Sequence, residues 1–345
     1  MKGKYAAEAG ILTCSLMQLL CGCGMQKPDE PDKVYVGVTY YNQSDTFLSE
    51  LNACFREELN RYKRDDFSVA VNIVGADGSQ RTQNDLVEEL IDKGCNVLCV
   101  NLVDRADPSE IIDVAKEHDV PIIFFNREPV EEDLMQWEKL YYVGADARES
   151  GVIQGELAAE AVRQNSRIDR NKDGKIQYVV LEGEPGHQDS IIRTENAVET
   201  LKTSGIELEK LSCQIANWNR AQAQNRMGQI LDQYLNDIEL VLANNDDMAL
   251  GAVDAYEKRN ITETVLPVFF GIDGTKEGLD AVVDGRLSGT VYNDKEGQAA
   301  AMARLAVALV TGEGMEDLEF ARSRCIYLPY KRITAENVSE FLRQP

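Results

Sequence analysis

Basic charge is scarce in this chain. Its 36 lysines and arginines stand against 59 aspartates and glutamates, a formal net charge of −23. Such a surface repels phosphate, and no basic cluster offsets it, so nucleic acid is not an expected partner. No apolar run beyond the first 23 residues approaches the length of a bilayer span. No G-x-G-x-x-G fingerprint follows a strand and no Walker A sequence occurs, which leaves nucleotide binding without support. No helix-turn-helix candidate precedes the first strand. Nor is there a disulfide framework. Of the 8 cysteines, Cys54, Cys95, Cys99, Cys213 and Cys325 lie beyond the leader, an odd number set mostly in apolar runs. Cys95 and Cys99 lack histidine or cysteine partners at metal-site spacing and read as core residues.

The N-terminus is built differently. A start with two lysines, the apolar stretch ILTCSLMQLL and small residues before a cleavage point describe an export signal over residues 1–23. Leu20-Cys21-Gly22-Cys23 resembles a bacterial lipobox, with Cys23 as the lipidated residue. The polar segment 24–33, with two prolines, suits a tether. These features predict an exported chain, either held at the outer face of the membrane by its lipid alone or periplasmic.

From residue 34 onward, short apolar β-rich runs alternate with amphipathic stretches of helical period. VYVGVTY, CNVLCVNL, VPIIFFN, IQYVVLEGE and IELVLANND are among the strands. Near-continuous apolar strands in repeated βα units argue for parallel sheets covered on both faces. About nine strands over this length fit two doubly wound α/β lobes better than one sheet.

In such sheets ligands sit beyond the carboxyl ends of the strands. Those ends carry Asp45 and Phe47, Asn101, then His187, Asp189 and Arg193, Trp218, Asn245, Asp273 and Asn293. Carboxylates and amides can each take two bonds from hydroxyls, and charge strengthens them in a dry site. Aromatic faces cover the C–H patches of a pyranose. The inventory suits a sugar. A lone Asn or Asp ending a strand is also commonly a turn or helix N-cap, and Asp246 and Asp294 read as caps. Trp137, in an acidic stretch, reads as packing or surface. The carboxylates Asp45, Asp189 and Asp273 leave a glycosidase as an alternative, although hydrolysis needs two acids at a defined separation.

DRNKDGKIQ, residues 169–177, has the spacing of a calcium-binding loop: Asp169, Asn171 and Asp173 alternate and Gly174 takes the turn. The twelfth position, normally a bidentate glutamate, is Val180. A solvated turn without metal is the alternative.

GEPGHQDSIIRT, ANWNRAQAQNRM, IELVLANNDDMALGAVDA, VFFGID, GTVYNDKEGQA and DRNKDGKIQ together resemble the galactose/glucose-binding branch of the periplasmic sugar-binding protein family that serves ABC importers. The likeness runs from about residue 34 to the C-terminus. It implies two Rossmann-like lobes joined by a three-crossover hinge, the type I periplasmic binding protein fold. The expected first lobe is 34–125 with 295–326, and the second is 126–294 with 327–345. It implies polar sugar contacts from Asp45, Asn101, His187, Asp189, Arg193, Asn245, Asp273 and Asn293, with Phe47 and Trp218 stacking on the ring. Asp45 would read the 4-hydroxyl, where galactose and glucose differ. SDTF stands where DDNF is expected, which leaves that preference open. The resemblance also implies structural Ca2+ held by Asp169, Asn171, Asp173, the Lys175 carbonyl, Gln177 and a distant glutamate, Glu239. The implied partners are a monosaccharide, D-galactose or D-glucose, and an ABC permease. A chemoreceptor or sensor kinase is a further possible partner, and the chain is expected to be a monomer.

Overall fold

The computed structural model describes residues 32–342 apart from 66, 262–264 and 323. The expected export signal, Cys23 and most of the expected tether therefore lie outside the described residues. The first half of the chain runs β1 (Asp32–Tyr40), α1 (Thr46–Asn60), β2 (Phe67–Gly75), α2 (Gln80–Asp92), β3 (Val97–Val100), α3 (Ser109–Glu117), β4 (Ile122–Phe125), α4 (Glu131–Leu134) and β5 (Leu140–Gly144). It continues with α5 (Ala147–Gln164), β6 (Ile176–Glu182), α6 (Gln188–Thr203), β7 (Leu208–Ile215), α7 (Arg220–Tyr234), β8 (Leu240–Ala243) and α8 (Asp246–Lys258). The last third is β9 (Val268–Phe270), α9 (Lys276–Val283), β10 (Thr290–Tyr292), α10 (Lys295–Thr311), β11 (Cys325–Tyr327), β12 (Lys331–Ile333) and α11 (Val338–Phe341).

Two parallel sheets organise these elements. The first has the order β2-β1-β3-β4-β5-β11, with every pairing parallel. The second has the order β7-β6-β8-β9, also parallel. β10 and β12 form an antiparallel pair, and β-bridges Phe270↔Gly289 and Asp273↔Tyr292 tie the β10 region to β9. VLCV, IIFF and LVLA are buried at every position, as parallel strands with helices on both faces must be. The α/β reading with two doubly wound lobes holds.

One lobe boundary moves. The expected switch at residue 126 comes too early, because β5 pairs with β4 in the first sheet through Ile122↔Leu140 to Phe125↔Val143. Residues 126–144 thus belong to the first lobe. The polar stretch after β4 looks like a crossover in sequence, but it is a short helical return to the same sheet. The chain passes to the second sheet between β5 and β6. It returns to the first lobe through α10, which packs on α1 and β1. It passes out again between β11 and β12.

Helix starts at the strand ends are capped by side chains, which is how the fold aims them at the cleft. Asp45 accepts from Leu48 N, His187 from Asp189 N and Asn245 from Met248 N. Asp294 caps α10 as expected, accepting from Gly297 N. Asp246 does not cap: Asn245 does, and the Asp246 carboxylate turns inward to accept from Thr275 N (2.8 Å) and Thr290 Oγ1 (2.5 Å). The helices α5 and α6 approach closely at Gly151, where a Cβ would stand 2.7 Å from the Arg193 carbonyl oxygen. That contact sets the depth of the helix carrying Asp189 and Arg193. The five described cysteines are free, with Cys95 and Cys99 in the core. Trp137 is packing, buried with Leu134 and Leu140. Among the described residues no helix is long and apolar enough to cross a membrane.

Candidate functional site

The carboxyl ends of β1 and β4 face those of β6, β8 and β9 across a narrow chamber. Tyr41, Asp45, Phe47, Asn126 and Arg127 line it from the first lobe. His187, Asp189, Arg193, Trp218, Asn245 and Asp273 line it from the second. Eight of the ten sequence-predicted ligand residues therefore meet in one place. The chamber holds only about 30 Å3 of free volume. Beside it the lobes touch directly, Thr46 Oγ1 donating to Asp247 Oδ2 at 2.7 Å and Arg127 Nη2 to Glu184 Oε2 at 2.8 Å.

Asn101 and Asn293 stand behind the wall instead of in it. Asn101 is fully buried, donating from Nδ2 to Asn126 Oδ1 (3.1 Å) and Phe125 O (3.2 Å) while its Oδ1 accepts from Tyr41 N (3.2 Å). Its place in the lining is taken by Asn126, the residue ending the next strand. Asn293 accepts from Gln298 Nε2 at 2.6 Å and hydrogen-bonds the Asp273 side chain, so it positions that carboxylate. Tyr41, Asn126 and Arg127 were missed. Asn126 closes the run VPIIFFN, so the strand-end rule applied there would have found it.

The first-lobe wall is tightly ordered. Asp45 Oδ2 accepts from Tyr41 Oη at 2.7 Å, and its Oδ1 accepts from Leu48 N at 2.8 Å. The Arg127 guanidinium lies 3.6 Å over the Tyr41 ring and donates to Val103 O at 2.9 Å. In the second lobe, Arg193 is buried beneath the cleft, donating to Asn244 O (2.7 Å) and Tyr330 Oη (3.1 Å). Its Nε has no protein partner. Trp218 meets the His187 ring edge-on, with centroids 5.1 Å apart. Gly183 makes room for the indole, since a Cβ there would fall 2.1 Å from Trp218 Cζ2.

Three residues of the chamber carry backbone strain. Asn126 (φ 60°), Trp218 (φ 60°) and Asp273 (φ 113°) all hold left-handed conformations that cost non-glycine residues about 1–3 kcal/mol each. Surrounding structure imposes them: the peptide of Asp273, for example, is held on both sides by β10 (Asp273 N to Val291 O, 2.8 Å; Asn293 N to Asp273 O, 3.0 Å).

Electrostatics at the chamber are set mainly by desolvation. His187 and Asp189 keep some surface toward the cleft but are enclosed by protein on all other sides. Burial, reinforced by Arg127 and Arg193, holds His187 well below the usual imidazole range, and its Nδ1 accepts from Asp189 N at 3.2 Å. The imidazole is neutral at pH 7. Burial pushes Asp189 and Asp273 upward, with the arginines opposing. The site is a set of fixed donors and acceptors with two aromatic side chains, Phe47 and Trp218, in its lining.

Loop 169–177 lies on the second lobe away from this chamber. Gly174 takes φ 81° and its N–H donates to Asp169 Oδ2 at 3.1 Å. Asp173 N donates to Asn171 Oδ1 and Lys175 N to Asp173 Oδ1, both at 2.8 Å. Glu239 is buried against the loop and accepts from Arg170 N (2.5 Å) and Gln177 N (3.2 Å). Asp169 Oδ1 is buried without a partner. The Lys175 ammonium points away toward Glu209, 3.9 Å off. Among the described residues no three His, Cys, Asp or Glu side chains form a metal cluster. Two of the five side-chain donors around this loop are amides, Asn171 and Gln177.

Residues 36–314 match the family of the periplasmic binding protein domain. The chain is 37% identical over 311 residues to the D-galactose/methyl-galactoside binding periplasmic protein MglB of Haemophilus influenzae, covering 89% of this chain and 92% of that protein. It superimposes with a TM-score of 0.74 and 29% identity on an ABC transporter solute binding protein of Bacillus halodurans with bound myo-inositol, over 91% of this chain and 99% of that one. A solute binding protein of Actinobacillus succinogenes with bound D-allose shares the fold at TM-score 0.74 and 22% identity, over 89% and 99%. These relatives are binding proteins, and the glycosidase alternative falls with them. By its sequence match and its two-lobe cleft, the chain belongs to the periplasmic binding protein family and is not an enzyme.

Proposed function

We propose that this protein captures a galactose- or glucose-type monosaccharide between its lobes and delivers it to an ABC importer outside the cytoplasm. The observation that carries the reading is the make-up of the chamber. Asp45, Asn126, His187, Asp189, Arg193, Asn245 and Asp273 converge on a space flanked by Phe47 and Trp218. Hydroxyls are both donors and acceptors, so a wall of carboxylates beside arginine and amides satisfies them in pairs. The aromatic faces take the apolar patches of the ring. Galactose is favoured by the Haemophilus influenzae relative, whose name states that ligand. The tight chamber admits a ring only when the hinge opens. Contacts from both lobes then favour the closed form, and that difference drives closure. A panel of monosaccharides in isothermal titration calorimetry and thermal shift tests the reading. Lipidation at Cys23 fits it as the anchor and is tested by mass spectrometry of the membrane-extracted protein.

We further propose that loop 169–177 holds Ca2+ through Asp169, Asn171, Asp173, the Lys175 carbonyl, Gln177 and Glu239. The partnerless Asp169 Oδ1 and the inward Glu239 carboxylate are the groups a cation would satisfy. The ion would staple the loop to a segment about 60 residues downstream, which is a structural role. A chelator-dependent drop in Tm tests it.

A further inference from the structure

A second space of about 630 Å3, against about 30 Å3 for the chamber measured the same way, shares Tyr41, Arg127 and His187 with it. Its other walls come from Gly78, Gln80 and Asp104 on the first lobe and from Pro185 and Gly186 on the second. Between the two spaces stands one interlobe ion pair. Arg127 Nη2 donates to Glu184 Oε2 at 2.8 Å, with the arginine 5% and the glutamate 32% exposed. Arg127 has little freedom to swing aside, since it is stacked on Tyr41 and bonded to Val103 O. Glu184 sits on the loop after β6, lines the outer space and does not line the chamber. It is the movable half.

From this arrangement we infer that Arg127 and Glu184 form a cross-cleft gate that limits the chamber to a single sugar ring, excluding rings that carry a second sugar or another bulky substituent pointing at the outer space. The inference rests on the sugar-binding reading of the chamber. A substituent leaving the chamber on this side would have to displace the pair, stranding a buried guanidinium that has lost its carboxylate. That cost falls on the substituted ligand alone, which is how a site discriminates by what it leaves unpaired. Removing Glu184 takes away no residue of the chamber lining and opens the passage. The outer space, at about 630 Å3, is then large enough for a second ring.

The test compares wild type, Glu184→Ala and Glu184→Gln by isothermal titration calorimetry against D-galactose, D-glucose, lactose, melibiose and maltose. Circular dichroism confirms that each protein is folded. Glu184→Ala is expected to improve the affinity of at least one disaccharide relative to the free hexose by about tenfold or more. Glu184→Gln keeps an acceptor oxygen for Arg127 and is expected to stay near the wild-type ratio. Disaccharide-to-hexose ratios in Glu184→Ala that stay within about twofold of wild type, with hexose still bound, overturn the gate alone. Wild type that binds no hexose overturns the gate and the sugar reading together.

Discussion

Asn101 Nδ2 donates to Asn126 Oδ1 at 3.1 Å, so a buried amide on one strand end holds the amide that lines the chamber on the next. Two asparagines that look equivalent in sequence therefore have different jobs. Asn126→Gly should weaken sugar binding by about 1–3 kcal/mol with little change in Tm, because the side chain contacts the ligand space and glycine accepts φ 60°. Asn101→Ala should lower Tm by several degrees, since it leaves buried Tyr41 N without its acceptor. Parallel calorimetry and thermal melts on both variants check the split. Equal effects on Tm would show that Asn126 is structural too.

Trp218 is held in the chamber by the absence of a side chain at Gly183. Trp218→Ala should cost about 1–3 kcal/mol of binding through lost stacking area. Gly183→Ala should also weaken binding, although Gly183 presents no group to the ligand, because the indole must move. An unchanged dissociation constant in both variants would remove Trp218 from the site.

The pH dependence of stability has a definite sign. Asp246 is fully buried, and burial raises its pKa from 3.8 to about 7 against hydrogen bonds from Thr290 and Thr275. Asp247 is raised to about 6, and Asp189 and Asp273 move in the same direction. A carboxyl that is easier to protonate folded than unfolded stabilises below its unfolded pKa and loses that contribution as pH rises through its folded one. Ligand-free Tm should therefore fall as pH rises from about 4 toward about 7. Asp246→Asn should flatten the slope, each pKa unit being worth about 1.4 kcal/mol. A Tm that rises steadily over that range in wild type contradicts the assignment.

Much of this was legible in the sequence because strand ends are punctuated by polar residues. Asp45, His187, Asn245 and Asp273 announce themselves by position, since a parallel strand buried on both faces has no other place for a charge. The lobe boundary was not legible. Residues 126–139 carry acids and a proline like a hinge, and only the β4–β5 pairing shows that they return to the same sheet. Asn101 and Asn126 end adjacent strands with the same residue type, so no local pattern says which one faces the cleft. Nor does any local pattern reveal the positive φ of Asn126, Trp218 and Asp273, which contacts from distant segments impose.

Glu239 is distant from the loop in sequence but buried against it, and it does not line the chamber, so its removal tests the proposed metal separately from the sugar. Glu239→Ala should lower Tm in calcium and abolish the further drop that chelator produces in wild type, while sugar affinity changes little. Differential scanning fluorimetry with and without EGTA reads this out. A chelator response identical to wild type would take Glu239 out of the cation site.

The central claim is that the chamber between Asp45 and Asp273 binds one monosaccharide. Isothermal titration calorimetry of the purified chain with D-galactose and D-glucose tests it most directly. The account predicts saturable binding of at least one of them, at one sugar per chain. Absence of heat with both sugars, together with an unmoved Tm across a full monosaccharide panel, would contradict it.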